Sequence, residues 1–537
     1  MHPHPQIRWD LSPEEEARAF EALKPRLARL WADVFPKDDE PYTSVIVPSV
    51  TLDGGEDPSR FQAARFYEET LLFLLMRLRN PQARVVYVTS QPIPAFVMDY
   101  YLHFLAGIPA SHAAARLTLL SVHDSSPRAL TQKILERPRL LEKIRAAIPD
   151  LSRAYMTVFR ASPLERRLAT LLDIPLNAAD PELEPLCGKS AGRRVLREAG
   201  VDLPLGCEGL RDEHDLVSAL QRLVAERPGL RRAVLKLERS HWEEGHALVD
   251  LPASTARDAV RRALHGLRGP RHLDGLAYLE RFARIGGIAE EFVEGVEKVV
   301  SGQVRINPRG QVVLTSTHDE LRGGRLGLES VGCAFPADDR CRRTVQEAAL
   351  RVGRLLAGKD LVSRLSVEFL LCVDPRAGSW RLAGTEINLG VGGSTHPLLA
   401  VRFLTGGELD AGTGLFRSPS GEAKFYRATD NLHAAAYKRL LPEDLIDILT
   451  LDALHYSARG ETGALFYMLG AIAELGRVGM VAVGNSREGA DTIFRRTVAS
   501  LDMASAFGPS PVPLVHSVEG QCEPRRDRQS CGRPPSP

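Results

Sequence analysis

Apolar positions mark out a sequence of helices and strands before any chemistry is considered. Ser12, Pro13 and Glu15 form a capping box that opens a helix, and apolar residues at helical spacing carry it through Trp31. The run SVIVPSV, Ser44 to Val50, is short, β-branched and bounded by prolines, which predicts a buried strand. A second helix is predicted from about Phe61 to Leu78, and VVYVT, Val85 to Thr89, is a second strand. Strand, helix, strand in that order predicts a parallel α/β unit, whose strands end at a loop over Ser90 to Pro94 able to face a ligand. No phosphate-binding glycine fingerprint lies there, so no nicotinamide dinucleotide is expected.

The pattern changes near Leu186. A helix around Ala191 to Ala199 precedes a strand, Ala233 to Glu238. Two hairpins follow: Gln303 to Ile306 with Gln311 to Thr315 around the turn NPRG, and Ser366 to Val373 with Trp380 to Ile387 around DPRAGS. After Gly407 a glycine-rich bridge leads to helical segments predicted at Pro442 to Leu454 and Gly463 to Leu475. From about Gly508 proline, arginine and serine dominate, which predicts a disordered tail. The reading divides the chain into a helical segment (1–40), an α/β domain (41–180), an α+β domain (181–410), a C-terminal domain (411–507) and the tail (508–537).

Composition narrows the class. The 537 residues are too many for one hydrophobic core. A hydrophobic share of 44%, a charged share of 26% and a net charge of +1 fit an ordinary globular protein with no general attraction to nucleic acid or membranes. The 7 cysteines form no close pair at metal-ligand spacing, and the N-terminus carries no secretory pattern, so a cytoplasmic protein is expected.

Candidate chemistry gathers on the second hairpin. Alternation places Glu368 opposite its neighbours Val367 and Phe369, while Glu386 and Asn388 are two apart and share a face. Three oxygen-bearing side chains on paired strands suit Mg²⁺; a solvated sheet face bearing ordinary charges has the same spacing. The loop GVGGSTHP follows, with Gly390, Gly392 and Gly393 before Ser394, Thr395 and His396, and can bring backbone N–H groups to an anion or serve as a flexible connection. His396, just before Pro397, is expected to serve turn geometry. Upstream, Lys189 opens a helix whose N-terminus favours an anion, and Lys236 lies within a buried-looking strand, where it needs a charged partner. The segment IAEEFVEGVEK offers Glu290, Phe292, Val293 and Glu297 as a hinge that could face an adenine and a ribose.

The order of these pieces resembles the ATP-grasp superfamily over roughly Leu186 to Gly407. STHDE (Ser316 to Glu320), GCAFPA (Gly332 to Ala337) and EINLGVGGSTHPLLAVRFLTGG (Glu386 to Gly407) look like the ATP-grasp peptide ligases of pheganomycin-type biosynthesis, a likeness that extends to ETGALFYML and GMVAVGNS. The resemblance implies an ATP-grasp fold with a Rossmann-like domain before it and a C-terminal extension. It also implies an ADP-forming, ATP- and Mg²⁺-dependent ligase that joins a carboxylate to an amine or peptide through an acyl phosphate, in a family whose members are often homodimers. Carried over by position, Lys189 and Lys236 hold phosphates. Glu290, Phe292 and Val293 hold adenine, Glu297 holds ribose, and Glu368, Glu386 and Asn388 ligate the metal. Lys236, His318, Asp319, Ser394 and Thr395 are the candidate catalytic residues, with His318 and Asp319 expected to face the active site. One departure stands out: the family's glycine- and serine-rich flap reads ERSHWEEGHALVD here, with Glu243 and Glu244 and Gly245 alone between Glu238 and Ala247. A catalytically silent ATP-binding module, or a kinase that needs no amine, fits the same residues.

Overall fold

The computed structural model describes residues 7–37, 39–51, 64–105, 107–239, 245–270, 273–324, 326–373 and 378–506. The flap positions Glu243 and Glu244 and the predicted tail lie outside the described residues.

Three sheets organise the fold. The first is parallel, in the order β3-β2-β1-β4, from β1 (Thr43–Ile46), β2 (Arg84–Thr89), β3 (Leu117–Ser121) and β4 (Ala154–Thr157). The second is antiparallel, in the order β5-β8-β6-β7, from β5 (Gly206–Leu210), β6 (Arg232–Leu237), β7 (His246–Asp250) and β8 (Gly287–Glu291). The third and largest contains β9 (Val296–Ile306), β10 (Val312–Gly323), β11 (Glu329–Phe335), β12 (Ser363–Val373), β13 (Trp380–Leu389), β14 (Glu408–Asp410), β15 (Leu415–Arg417), β16 (Ala423–His433), β17 (Gly463–Tyr467) and β18 (Arg477–Gly484). It runs β13-β12-β9-β10-β11-β16, with β18 joining β16 to β17. Residues beyond 411 therefore extend the same sheet that carries the predicted hairpins.

Local chemistry explains the elements. Ser12 and Glu15 cap the first helix, Pro13–Asp33, reciprocally: the Glu15 N–H donates to Ser12 Oγ and the Ser12 N–H to Glu15 Oε2. The β9–β10 turn closes where the Gly310 N–H donates to the Asn307 carbonyl at 2.9 Å, with Gly310 at φ 72°. Strand β12 alternates buried and half-buried along nearly its whole length, so one face packs on the helix Arg342–Ala357 and the other looks outward.

Two expectations are corrected. Gly463 to Leu475 is not one helix: β17 occupies Gly463–Tyr467, and only Ala471–Leu475 is helical. All five β17 residues are buried and paired with β18, so the stretch shows no polar alternation to distinguish it from a buried helix. The second predicted helix is wound as a 3-10 helix over Glu68–Arg79, buried from Glu68 to Leu75 between β2 and the helix Thr395–Thr405.

That rod carries two adjacent buried acids. Burial pushes the carboxyls of Glu68 and Glu69 up to about 7 from 4.5, against hydrogen bonds from Ser90 to Glu68 and from the Gly470 and Leu469 backbone to Glu69. A raised folded-state value means the folded chain holds protons that the unfolded chain releases between these two values. The associated stability is complete below pH 4.5 and is lost as pH rises through 7. Glu69→Gln is expected to raise the melting temperature at pH 8 by ~2–5 °C and to flatten its pH dependence between 5 and 8. Scanning calorimetry across that range checks this; a lower melting temperature at pH 8 would count against it.

Candidate functional site

The small sheet and the β12–β13 hairpin meet along their charged faces. Register sets the hairpin side: Glu368 pairs with Glu386 and Ser366 with Asn388, so all three predicted oxygen donors share one face. Asn388 Nδ2 donates to Glu368 Oε1 at 3.1 Å, and Arg322 Nη2 to Glu368 Oε2 at 2.6 Å. On the small sheet Lys236 lies opposite His246, and Val234 opposite Glu290, which puts Lys236, His246 and Glu290 on one face. Leu235, Leu237 and Ala289 point the other way into the core.

Glu386 is where the two faces join. Its Oε2 accepts from Lys189 Nζ at 2.6 Å, and its Oε1 lies 3.0 Å from His246 Nε2 and 3.4 Å from Lys236 Nζ. Lys236 Nζ also reaches Glu290 Oε2 at 2.9 Å, and Arg193, one helical turn after Lys189, grips the other Glu290 oxygen. Burial alone would raise the Glu386 carboxyl, but Lys189, Lys236 and the His246 hydrogen bond hold it well below the usual carboxylate range. Burial lowers and the two glutamates raise the Lys236 ammonium, with a net upward shift. His246 is pushed down by burial and the neighbouring lysines, so it is neutral at pH 7.

A cavity of about 700 Å³ opens beside this cluster, within the usual size of a ligand site. Lys189, Glu368, Glu386, Asn388, Gly390 and Ser394 are on its wall. Lys236, Glu290, Phe292, Val293 and Glu297 are not. Arg232 covers the Phe292 ring at 3.9 Å, Val293 is buried, and Glu297 pairs with Arg340 at the surface. The helix N-terminus at Lys189 already holds an anion: Glu238 accepts from the Ser190 N–H at 3.0 Å and from its hydroxyl at 2.5 Å, occupying the seat a phosphate oxygen would take.

Two candidates face elsewhere. His318, expected toward the active site, is fully buried behind β10, within hydrogen-bond distance (2.7 Å) of the Tyr426 hydroxyl, and burial lowers it to about 3. Asp319 alternates to the opposite side and is bound by Lys298 at 3.0 Å, Arg487 at 3.3 Å and the Asp338 N–H at 2.8 Å. Neither lines the cavity. In the glycine loop, Ser394 Oγ accepts from Gln303 at 2.7 Å, and the buried Thr395 hydroxyl accepts from the Gly392 N–H at 3.3 Å, which fixes the loop. Gly390, at φ 90°, is required by packing, since a Cβ there would lie 2.5 Å from the Phe159 carbonyl. His396 is buried against Phe159 and also lies on the cavity wall.

His246, Arg193 and Arg322 were missed from sequence. The pairing of Lys236 with His246 across a hairpin was the one available signal, and its turn offered no recognisable turn residues. Among the described residues no three His, Cys, Asp or Glu side chains close on a metal-sized point. Two carboxylates and an amide nevertheless match the sparse, phosphate-completed coordination of Mg²⁺. No helix among the described residues is long and apolar enough to cross a membrane.

A family model described as IQCH-like, ATP-grasp matches residues 181–268 and 271–412, and one described as the PGM1 C-terminal domain matches 444–497. The chain is 30% identical over 447 residues, 81% of its own length and 89% of the other, to the L-propargylglycine–L-glutamate ligase of Streptantibioticus cattleyicolor. It is 25% identical to the IQ motif-containing protein H of Danio rerio over 71% of its length, spanning 40% of that protein. Among solved structures, Campylobacter jejuni biotin carboxylase in complex with β-γ-ATP is similar in fold, with a TM-score of 0.52 and 13% identity over 87% of this chain and 96% of that one. The biotin carboxylase domain of Hydrogenobacter thermophilus 2-oxoglutarate carboxylase gives 0.51 and 12% over 85% and 90%. The chain belongs to the ATP-grasp family and is an ATP-dependent ligase.

Proposed function

We propose that the lysine–glutamate cluster is the phosphoryl-transfer centre of an ADP-forming ligase for small amino-acid-like substrates. The observation that carries this reading is the meeting of Lys189, Lys236 and His246 on the single carboxylate of Glu386 at the edge of a cavity. In this reading Lys189 and Lys236 exchange Glu386 for phosphate oxygens when nucleotide enters, and Glu238 yields the helix N-terminus. Glu290, Phe292 and Val293 hold the adenine end and Glu297 the ribose. Glu368, Glu386 and Asn388 would hold Mg²⁺, which when bound supplies charge neutralisation for the phosphates. Ser394, on its loop, faces the reacting groups. His318, Asp319 and Thr395 support the surrounding walls, and Lys236 is the catalytic cation.

The chemistry follows in two balanced steps. A substrate carboxylate oxygen attacks the γ-phosphorus, the bond to the β-phosphate oxygen breaks, and ADP leaves with that electron pair. The neutral amine nitrogen then attacks the acyl carbon, the carbon–oxygen bond to phosphate breaks, and phosphate departs with that electron pair as the nitrogen gives up one proton to solvent or to the leaving phosphate and becomes the amide N–H. The chain's own contribution is positioning and charge, with water excluded from the acyl phosphate by closure over the site. The relative's name pairs an amino acid with L-glutamate, and small amino acids are the expected substrate class here. A homodimer and a cytoplasmic setting complete this reading.

ADP release measured over acid and amine panels tests it. Release is expected to require both a carboxylate and an amine, with mass spectrometry showing the amide. Full-rate release without any amine would instead indicate a kinase.

A further inference from the structure

Residues beyond 411 supply part of the cavity wall, and they carry an opposed pair of charges that the phosphoryl centre does not use. β16 and β18 pair regularly except for a register shift between Thr429 and Leu432. The two residues inside that bulge, Asp430 and Asn431, both line the cavity, as do Arg477 at the start of β18 and Tyr67. Bulges of this kind re-aim side chains beside binding sites. The group is braced: Arg477 Nε donates to the Asp430 carbonyl at 3.2 Å, Arg477 Nη2 to the Tyr67 hydroxyl at 3.2 Å, and the Tyr67 hydroxyl to Asp430 Oδ2 at 3.4 Å. The guanidinium also lies 5.7 Å from the Tyr67 ring centre.

Bracing fixes both charges without neutralising them. Among the described residues neither the Asp430 carboxylate nor the Arg477 guanidinium closes an ion pair, although both are half-buried. The Asp430 carboxylate also abuts the glycine loop: its Oδ2 is 3.7 Å from where a Cβ on Gly393 would stand. Gly393 thus leaves Asp430 open toward the loop that follows Asn388. A fixed carboxylate beside the glycine loop and a fixed guanidinium near it are complementary to a ligand bearing an ammonium and a carboxylate.

We propose that Asp430 and Arg477 form the acceptor subsite for a free α-amino acid, with its ammonium on Asp430 and its carboxylate on Arg477. This rests on the ligase reading for its place in the reaction, and it gives the C-terminal strands a direct part in the site. Asp430 holds the amine at the glycine loop, and Arg477 rejects amines that lack the α-carboxylate, because the guanidinium would then be left without its partner.

The test is calorimetric titration of the full-length chain, held with MgADP, against the twenty proteinogenic L-amino acids singly. At least one is expected to bind with a Kd below ~1 mM, a binding free energy of about −4 kcal/mol or more favourable, and its descarboxy amine at least tenfold more weakly. Arg477→Gln and Asp430→Asn are each expected to weaken that amino acid at least tenfold while MgADP affinity stays within twofold. Arg477→Lys, which keeps the charge and loses the fork, should fall between, and unchanged MgADP affinity shows that the variants are folded. The proposal is overturned if no amino acid binds, if the descarboxy amine binds equally, or if Arg477→Gln binds like the wild type. Binding that follows the expected pattern, with no ADP from any acid and amine pair, would sink the ligase reading and leave this subsite standing.

Discussion

Glu386→Gln is expected to lower ADP formation by about 10³-fold, close to ~4 kcal/mol of transition-state stabilisation, with the fold intact. Glutamine keeps the size of the side chain and one acceptor oxygen, so the 2.6 Å bond from Lys189 can persist. What it loses is the negative charge that faces Lys189, Lys236 and His246 together. Without it Lys236 keeps Glu290 as a close carboxylate, Lys189 keeps no ion pair among the described residues, and the proposed metal loses one of its two acidic ligands. Removing one preorganised charge from such a centre typically costs two to three orders of magnitude. Turnover is read as ADP release under saturating ATP and varied Mg²⁺, with a cooperative melt as the folding control. Wild-type rates in a folded Glu386→Gln protein would remove this carboxylate from the chemistry.

The second large effect is on nucleotide affinity. Lys236→Met is expected to weaken ATP binding about 100-fold, or ~2.7 kcal/mol, and to destabilise the chain as well. Lys236 is 6% exposed and lies 2.9 Å from Glu290 and 3.4 Å from Glu386. Arg193 still pairs with Glu290 and Lys189 with Glu386, so the cost stays below the ~3 kcal/mol of leaving a buried charge with no partner. The two effects separate in the double variant Lys236→Met with Glu290→Gln. The double variant should keep the weakened ATP affinity, while its melting temperature shows what Glu290, still paired with Arg193, contributes to stability. Calorimetric titration well below the melting transition gives the affinities, and wild-type affinity in Lys236→Met would show that this lysine is a purely structural cation.

How much of this was legible before the structure depends on the range of the interaction. Glu368, Glu386 and Asn388 could be placed on one face because a strand has a period of two and the hairpin turn fixes its register. The first helix cap and the NPRG turn were legible for the same reason: the chemistry is contained within four residues. Gly463 to Tyr467 was misassigned because a strand buried on both faces carries no alternation. Lys236 was recognised as needing a partner, but nothing local named Glu290 or Glu386, which are 54 and 150 positions away by number. Arg193 and His246 were missed because their roles arise from packing between sheets. His318 and Asp319 show the limit of carrying a motif across: adjacent residues on a strand must point opposite ways, and here neither direction is the cavity. The walls supplied by Asp430 and Arg477 arise from a bulge and from late strands joining an earlier sheet, neither of which has a sequence signature.

Lys189 begins a helix, Lys236 sits on the small sheet, and the acidic hairpin belongs to the large one, so nucleotide must enter between them to meet all three. A crystal structure of the full-length chain with a non-hydrolysable ATP analogue and Mg²⁺ measures this directly. The expected result is phosphate oxygens within hydrogen-bond distance of both Lys189 and Lys236, with the metal on Glu368, Glu386 and Asn388. Nucleotide bound elsewhere, with Lys189 and Lys236 still closed on Glu386, would contradict it.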